Sequence, residues 1–282
     1  MRDWKLAFHT RSHWVHHQMD LFATAEAIKQ AGYDAVEISM PHLKTLSIGT
    51  MTAGDRASFK RRFADIGLEI GAISGHSTVC HEQADVRDHE VRFFKQALDF
   101  AADVGCAVVN THAMYRISGP PGFLRQESGE SYRQFRTRVY PEPPPSRRGF
   151  LLEVLGDLGR HALDRGVAVG LEDLDHTPEL FWEGLIREID SPGLRQNLQV
   201  HKGTTPAAAL RERADILVHF HMKPPTEGAG YEGWSLGEYI DFINALEETS
   251  FPRDYFTIEE HSELDPHVTA ARLHRYFRRL LA

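Results

Sequence analysis

The chain has 282 residues, of which 41% are hydrophobic and 26% are charged, a balance typical of a globular protein with one large core. Its net charge of -8 argues against non-specific binding to nucleic acid. No apolar stretch is long enough to cross a bilayer, and the N-terminal residues lack a signal-peptide core, so a cytoplasmic protein is expected. The two cysteines, Cys80 and Cys106, exclude a disulfide framework.

Strand-like and helix-like segments alternate along the chain. The predicted strands are KLAFHT, DAVEISM, LEIGAISGHS, CAVVNTHA, VAVGLEDL, LRQNLQVH, ILVHFHMK and YFTIEEH. A segment of helical character follows each strand, from DLFATAEAIKQAG after the first to HVTAARLHRYFRRLL after the last. This alternation predicts an α/β protein with a single (β/α)8 barrel domain over residues 1–282. A doubly wound open sheet is the alternative, disfavoured because no glycine-rich phosphate loop follows the first strand.

A long segment, 115–149, interrupts this alternation after strand four. It contains GPPG, PEPPP and the arginines Arg116, Arg125, Arg133, Arg136 and Arg138. In a barrel such a loop lies on the C-terminal rim, and long loops there are often lids. Its aromatic residues favour a lid, and its arginines suit an anionic substrate group. A solvated polar loop is the alternative interpretation.

Two glutamates come directly after predicted strands. Glu172 follows VAVGL, and Glu259 follows YFTI. Glutamates from well-separated strands can face each other across the mouth of a barrel, where they bind a metal ion and exchange protons with opposite faces of a substrate. We therefore predict that both are catalytic, against the alternative that each is a solvent-exposed strand end.

Strand seven carries three polar residues at alternate positions. His219, His221 and Lys223 share one face of this strand, which should be the interior of the barrel. His221 lies nearer the C-terminal rim and is the better candidate for a metal ligand, whereas His219 is expected one layer deeper as a hydrogen-bonded core residue. Lys223 is predicted to bind an oxyanion or a carboxylate of the substrate.

Other strand ends also carry polar residues. Glu37 on strand two, His76 on strand three and His112 on strand four are predicted to bind substrate, although a single histidine at a strand end is often structural. His9, at the end of strand one, is expected to contact the substrate or to support a residue that does. Three further histidines are expected at the rim or on the surface: His13, His16 and His17.

The order and spacing of these motifs resemble those of the xylose isomerase-like barrel superfamily over almost the whole chain. The resemblance rests on YDAVEI, GLE, VHFHMK and TIEEH. This superfamily includes sugar and sugar-phosphate isomerases and epimerases, inosose and dehydroshikimate dehydratases, and apurinic-site endonucleases. The resemblance implies a TIM barrel with its site at the C-terminal rim.

The resemblance also implies a metal centre. In the superfamily, the ligands are typically a glutamate after strand five, an aspartate after strand six, a histidine on strand seven and a glutamate after strand eight. Carried over to this chain, they are Glu172, His221 and Glu259, and the aspartate is missing from NLQVHKG on strand six. Alignment from the strand places Gln199 at the aspartate position.

Alignment from the histidine of strand six gives a second possibility. It makes His201 the substrate-side histidine and places Leu198 at the aspartate position. Gln199 and His201 are thus candidate ligands, and one divalent ion is expected. A set rich in imidazole suits Mn²⁺, Zn²⁺ or Fe²⁺ better than Mg²⁺. Loss of the metal is the alternative.

The resemblance implies a metal-dependent isomerase or epimerase of a sugar or related polyol, in carbohydrate metabolism. Glu172 or Glu259 would take a proton from the carbon beside a carbonyl to form an enediolate, and the other would return it. The alternatives are a dehydratase on the same scaffold and a metal-free barrel that binds sugars. The expected partner is a small sugar, polyol or sugar acid, with no nucleic acid and no membrane. Homo-oligomerisation is left open.

Overall fold

The computed structural model describes residues 3–77, 79–81, 83–112, 148–172, 179–200, 206–224, 235–260 and 264–282. Within them, eight strands form a closed barrel in sequential order. The strands are β1 Lys5–His9, β2 Ala35–Ile38, β3 Glu69–Ser74, β4 Val108–Thr111, β5 Ala168–Glu172, β6 Leu194–Val200, β7 Leu217–Met222 and β8 Tyr255–Ile258. Neighbouring strands are parallel throughout, and β8 closes the barrel against β1. The predicted barrel is confirmed, and the open sheet is excluded.

The described helices exceed the predicted number because two short ones follow β1 and β2. The helices are α1 Arg11–His17, α2 Leu21–Gln30, α3 Met40–Thr45, α4 Ala53–Ile66, α5 Ala84–Val104, α6 Arg148–Asp164, α7 Glu179–Ile189, α8 Pro206–Arg213, α9 Leu236–Glu248 and α10 Pro266–Leu281. With 7 and 6 residues, α1 and α3 are too short to show helical periodicity. No segment of the described helices combines the length and hydropathy of a bilayer span.

Most of the predicted lid, 115–149, lies outside the described residues, which resume with α6 at Arg148. Its role as a lid therefore stays a prediction.

Local sequence signals set the ends of the outer helices. Thr52 caps α4 in a capping box with Asp55, and Gly67 ends the helix at a φ of 77° that suits glycine. Asp265 accepts hydrogen bonds from the first backbone N–H groups of α10. These caps fix where each helix starts and so help to place it against the barrel.

Apolar side chains fill the layer between the barrel and its helices. Phe220 of β7 packs on Phe242 of α9, with ring centroids 5.2 Å apart, and Phe256 of β8 packs on Phe277 of α10 at 5.3 Å. Side chains alternate along a strand, so the neighbours of these residues point into the barrel. The outward set therefore holds the helices, and the inward set is available for chemistry.

Candidate active site

Glu37 is a buried carboxylate inside the barrel, and four protein groups bind it. Its Oε1 accepts hydrogen bonds from Ser74 Oγ at 2.5 Å and Asn110 Nδ2 at 2.8 Å. Its Oε2 lies 2.9 Å from both His219 Nε2 and His221 Nε2, which donate to it. Burial works to raise the pKa of Glu37, but His221 and His219 outweigh it and lower that pKa well below its ordinary value. Glu37 is therefore a fixed negative charge beneath the rim.

His221 lies between this buried carboxylate and two others at the rim. Its second nitrogen, Nδ1, is 3.1 Å from Glu259 Oε2 and 3.6 Å from Glu172 Oε1. Burial works to lower the pKa of His221, but Glu37, Glu259 and Glu172 together raise it well above its ordinary value. The imidazole thus has one nitrogen anchored below and the other directed toward the two glutamates predicted to be catalytic.

Glu172 ends β5 and is also buried. Asn197 Nδ2 donates to its Oε1 at 3.2 Å, and His112 Nδ1 lies 2.8 Å from its Oε2. Burial works to raise the pKa of Glu172, and the neighbouring imidazoles, His112 first, outweigh it and lower that pKa. Glu172 is therefore ionised at neutral pH, as a general base must be before it accepts a proton.

His76 and His112 form a flat wall beside Glu172. Their rings stack with centroids 3.8 Å apart and planes 18° from parallel. Burial, followed by the charge of His112, lowers the pKa of His76 to about 3, so that His76 is neutral near pH 7. Its Nε2 lies 3.8 Å from Glu172 Oε1. The structure thus places these two predicted substrate-binding histidines beside one predicted catalytic residue.

Lys223 and Glu259 meet at the top of the barrel. Lys223 follows β7, Glu259 follows β8, and the Lys223 ammonium donates a hydrogen bond to Glu259 Oε2. Both side chains are largely buried, with exposed fractions of 8% and 6%. The oxygen that receives the ammonium also faces His221 Nδ1. The predicted shared face of His219, His221 and Lys223 is therefore observed.

These residues fit a divalent metal ion. Two groups of side chains have ligand atoms within 4.8 Å of one another: His9, Glu37 and His221, and His76, His112 and Glu172. In the deeper group, Glu37 holds His221 Nε2, the usual support for a histidine that binds metal through its other nitrogen. Each group joins one carboxylate with two imidazoles, a donor set that suits Mn²⁺, Zn²⁺ or Fe²⁺.

Strand β6 lies beside β7 at the site. Gln199 pairs in register with His221 on β7, which places its backbone beside the site. Its side chain and the whole of His201 lie outside the described part of the chain. Their roles as ligands stay predictions.

His9 supports the site from β1. Its Nδ1 accepts a hydrogen bond from the backbone N–H of Arg11 at 3.1 Å, so the neutral ring carries its proton on Nε2. That nitrogen lies 3.0 Å from Ser74 Oγ, whose hydroxyl donates to Glu37. His9 therefore steadies a group that binds Glu37.

Of the two positions expected for His13, at the rim or on the surface, the surface is wrong. His13 is fully buried in α1, where its ring packs 6.0 Å from Phe8 and 5.3 Å from His267. The unpredicted helix α1 begins directly after Thr10 and holds His13 against Phe8 of β1. The side chains of His16 and His17 lie outside the described residues.

Three polar residues of the site were not predicted: Ser74, Asn110 and Asn197. Each lies two positions before a residue that was, namely His76, His112 and Gln199. Side chains alternate along a strand, so residues two positions apart share the inward face. This alternation predicts that Ser74, Asn110 and Asn197 face the site. Gly170 makes room for Asn110, since a Cβ at Gly170 would lie 2.1 Å from Asn110 Oδ1.

Comparison with known proteins agrees with the barrel fold. A family model described as xylose isomerase-like TIM barrel matches residues 25–280. The chain belongs to this family. A comparison with curated protein sequences gives no match.

Solved structures of family members superpose over nearly the whole chain. The E. coli 3-keto-D-glucoside 4-epimerase is 17% identical with a TM-score of 0.71, covering 98% of this chain and 99% of that one. The Clostridium cellulolyticum H10 D-psicose 3-epimerase, solved with D-tagatose, is 12% identical with a TM-score of 0.71 and the same coverages of 98% and 99%. An L-ribulose 3-epimerase is 16% identical with a TM-score of 0.71, covering 100% and 95%. At these identities the likeness establishes the shared fold.

Proposed function

We propose that this chain is a metal-dependent epimerase or isomerase of a sugar or related polyol that carries a carbonyl group. The observation that carries the proposal is the pair of rim glutamates, Glu172 and Glu259, that approach His221 Nδ1 while Glu37 anchors the opposite nitrogen. The epimerase activities of the superposed proteins support it.

Glu172, His221 and Glu259 would hold the ion, with Gln199 and His201 as further candidates. A divalent ion held there would polarise a carbonyl and so acidify the C–H bond of the neighbouring carbon that carries a hydroxyl. We assign Glu37 a positioning role instead of the predicted contact with substrate, because protein donors already occupy both of its oxygens.

The two rim glutamates would move the proton. Glu172 ends β5 and Glu259 follows β8, on well-separated parts of the barrel. Each can therefore approach a different face of a substrate carbon bound above His221. Glu172 is ionised and would take the proton from the carbon beside the carbonyl. Glu259 would pass a proton taken up from solvent to the opposite face, which inverts the configuration, and Glu172 would release its proton to solvent. His112 and His76 would bind substrate hydroxyls beside Glu172.

The proposal is tested by exchange of the substrate proton with solvent. In D₂O, the wild type should incorporate deuterium next to the carbonyl of a ketose or keto-glycoside, followed by NMR. Glu172→Gln and Glu259→Gln should each slow this exchange by about 10²–10⁴-fold. The matched control is Glu69→Gln, which removes a carboxylate bonded to Lys5 and half-exposed at the strand starts. Full exchange in both rim variants would refute the assignment.

A dehydratase on the same site is the second candidate. The Lys223 ammonium lies against Glu259 and is placed to give a proton to a departing hydroxyl. Mass spectrometry of the product separates the two reactions, because epimerisation conserves mass and dehydration loses one water.

A further inference from the structure

Hydrogen bonds hold the backbones of Lys223 and Glu259 at the rim. The Glu259 backbone N–H donates to Met222 O at 3.0 Å, and Tyr239 OH donates to Lys223 O at 3.2 Å. The main chains of both residues are thus fixed at the ends of adjacent strands. The four-carbon stem of the lysine is long enough to carry its ammonium over several ångströms once the pair with Glu259 is broken.

The ammonium occupies an oxygen that a metal ion would need. Glu259 Oε2 receives the Lys223 ammonium and also lies 3.1 Å from His221 Nδ1, the proposed metal-binding nitrogen. A divalent ion between His221 and Glu259 would therefore come close to the lysine charge. In a site this buried, the repulsion between two such cations is poorly screened.

The small number of negative charges at the site strengthens the competition between Lys223 and a metal ion. Gln199, aligned from strand six, offers no negative charge, so the described rim ligands supply only the carboxylates of Glu172 and Glu259. Lys223 neutralises one of these two. The Lys223 ammonium therefore lies on an oxygen that the proposed metal ion would need.

We propose that Lys223 is a built-in competitor for the metal ion. Its ammonium holds Glu259 in the metal-free protein, leaves Glu259 when the ion binds, and then points to a substrate oxygen. This inference rests on the proposed function, because it needs a metal ion at His221 and Glu259. It explains how a buried glutamate stays compensated before the ion arrives.

Metal affinity tests the inference directly. Mn²⁺ would be titrated into the metal-free wild type, Lys223→Met and Lys223→Arg, with free Mn²⁺ followed by electron paramagnetic resonance. Lys223→Met should bind Mn²⁺ about tenfold more tightly, and Lys223→Arg no more tightly than wild type, because guanidinium keeps the ion pair. The matched control Lys5→Met removes the lysine that pairs with Glu69 at the strand starts, and it should bind Mn²⁺ like wild type.

The outcomes separate this inference from the proposed function. If wild type binds Mn²⁺ and a folded Lys223→Met binds it equally or more weakly, the competitor role is wrong and the proposed function stands. If no folded variant binds Mn²⁺, Zn²⁺ or Fe²⁺, both are wrong. Thermal unfolding of each variant shows which are folded.

A measurement on the wild type avoids substitutions altogether. Reductive methylation of Lys223, read by peptide mass spectrometry, should proceed several-fold faster with Mn²⁺ than without, because the ammonium no longer pairs with Glu259. An equal or slower rate with Mn²⁺ would overturn the inference.

Discussion

The inward and outward faces of the same strands differ sharply in chemistry. On β7, Phe220 and Met222 point to the helices, while His219 and His221 point into the barrel. On β8, Phe256 packs outward on α10, and Glu259 just beyond the strand faces His221. The outer layer is held by apolar packing and the upper interior by hydrogen bonds to carboxylates.

This contrast between the two faces separates stability from activity. Apolar packing in the outer layer tolerates many side chains of similar volume, and its contribution to stability does not depend on any one charge. The interior network depends on matched donors and acceptors, because an unmatched buried charge is costly. We therefore expect outer substitutions to change stability alone, and inner ones to change stability and activity together.

Substitution of Glu37 should give the largest combined effect. Glu37→Gln removes the charge that anchors His221 and His219 and puts an amide N–H₂ where the carboxylate accepted hydrogen bonds. We expect a loss of about 3–5 kcal/mol in the free energy of unfolding, as for one partner removed from a buried ion pair. Metal affinity or activity should fall by about 10–100-fold, as for loss of the group that orients a metal-binding histidine.

Urea unfolding and Mn²⁺ titration of Glu37→Gln measure these two effects. Glu69→Gln is the control, since its exposed ion pair with Lys5 should contribute at most about 1 kcal/mol. A Glu37→Gln protein that is destabilised but binds Mn²⁺ like wild type would show that the network serves stability only.

The outer layer gives the complementary experiment. Phe256→Ala removes a fully buried ring that packs on Phe220, Phe277 and Trp4. We expect it to cost about 3–5 kcal/mol in the free energy of unfolding, with KM and kcat unchanged below the new melting temperature. A change in kcat comparable to that of Glu37→Gln would break the division between the two faces.

The fold could be predicted because its signals are local. Each strand and the helix that follows it show their own period, and the sequential order predicts a closed parallel barrel. The shared face of His219, His221 and Lys223 follows from alternation along a single strand. The helices α1 and α3 could not be predicted, since each spans only about two turns.

The network around Glu37 could not be predicted, because it joins distant parts of the chain. Glu37 and His221 are 184 positions apart and meet only when β2 and β7 face each other across the closed barrel. The sequence places Glu37 and His221 on predicted strands, but strand alternation does not say which imidazole meets which carboxylate. Glu37 was therefore expected to bind substrate, whereas the structure shows its oxygens bound by protein groups.

His42 is a buried polar group outside the barrel interior. Its substitution should give the smallest effect on stability, and it tests whether a buried polar group needs the inward network to matter for folding. It lies in α3, where its Nε2 donates to Met19 O at 2.9 Å and its Nδ1 accepts from Ser39 Oγ at 3.2 Å. Trp14 of α1 packs against the ring, with centroids 5.1 Å apart. Burial lowers the pKa of His42 below its ordinary value, so the folded protein favours the neutral ring.

The lowered pKa of His42 determines how the free energy of unfolding depends on pH. The unfolded chain binds the proton of His42 more readily, so this contribution to stability is fully present above about pH 6.5 and is lost as pH falls through the folded pKa. His42→Gln keeps an amide that can donate to Met19 O but cannot titrate. The stability advantage of wild type over this variant should therefore shrink between pH 7 and pH 5, measured by urea unfolding at each pH. The other histidines are present in both proteins, so their titration cancels in the difference between wild type and variant. If the stability advantage of wild type stays constant or grows as pH falls, the α1–α3 contact does not depend on a neutral His42.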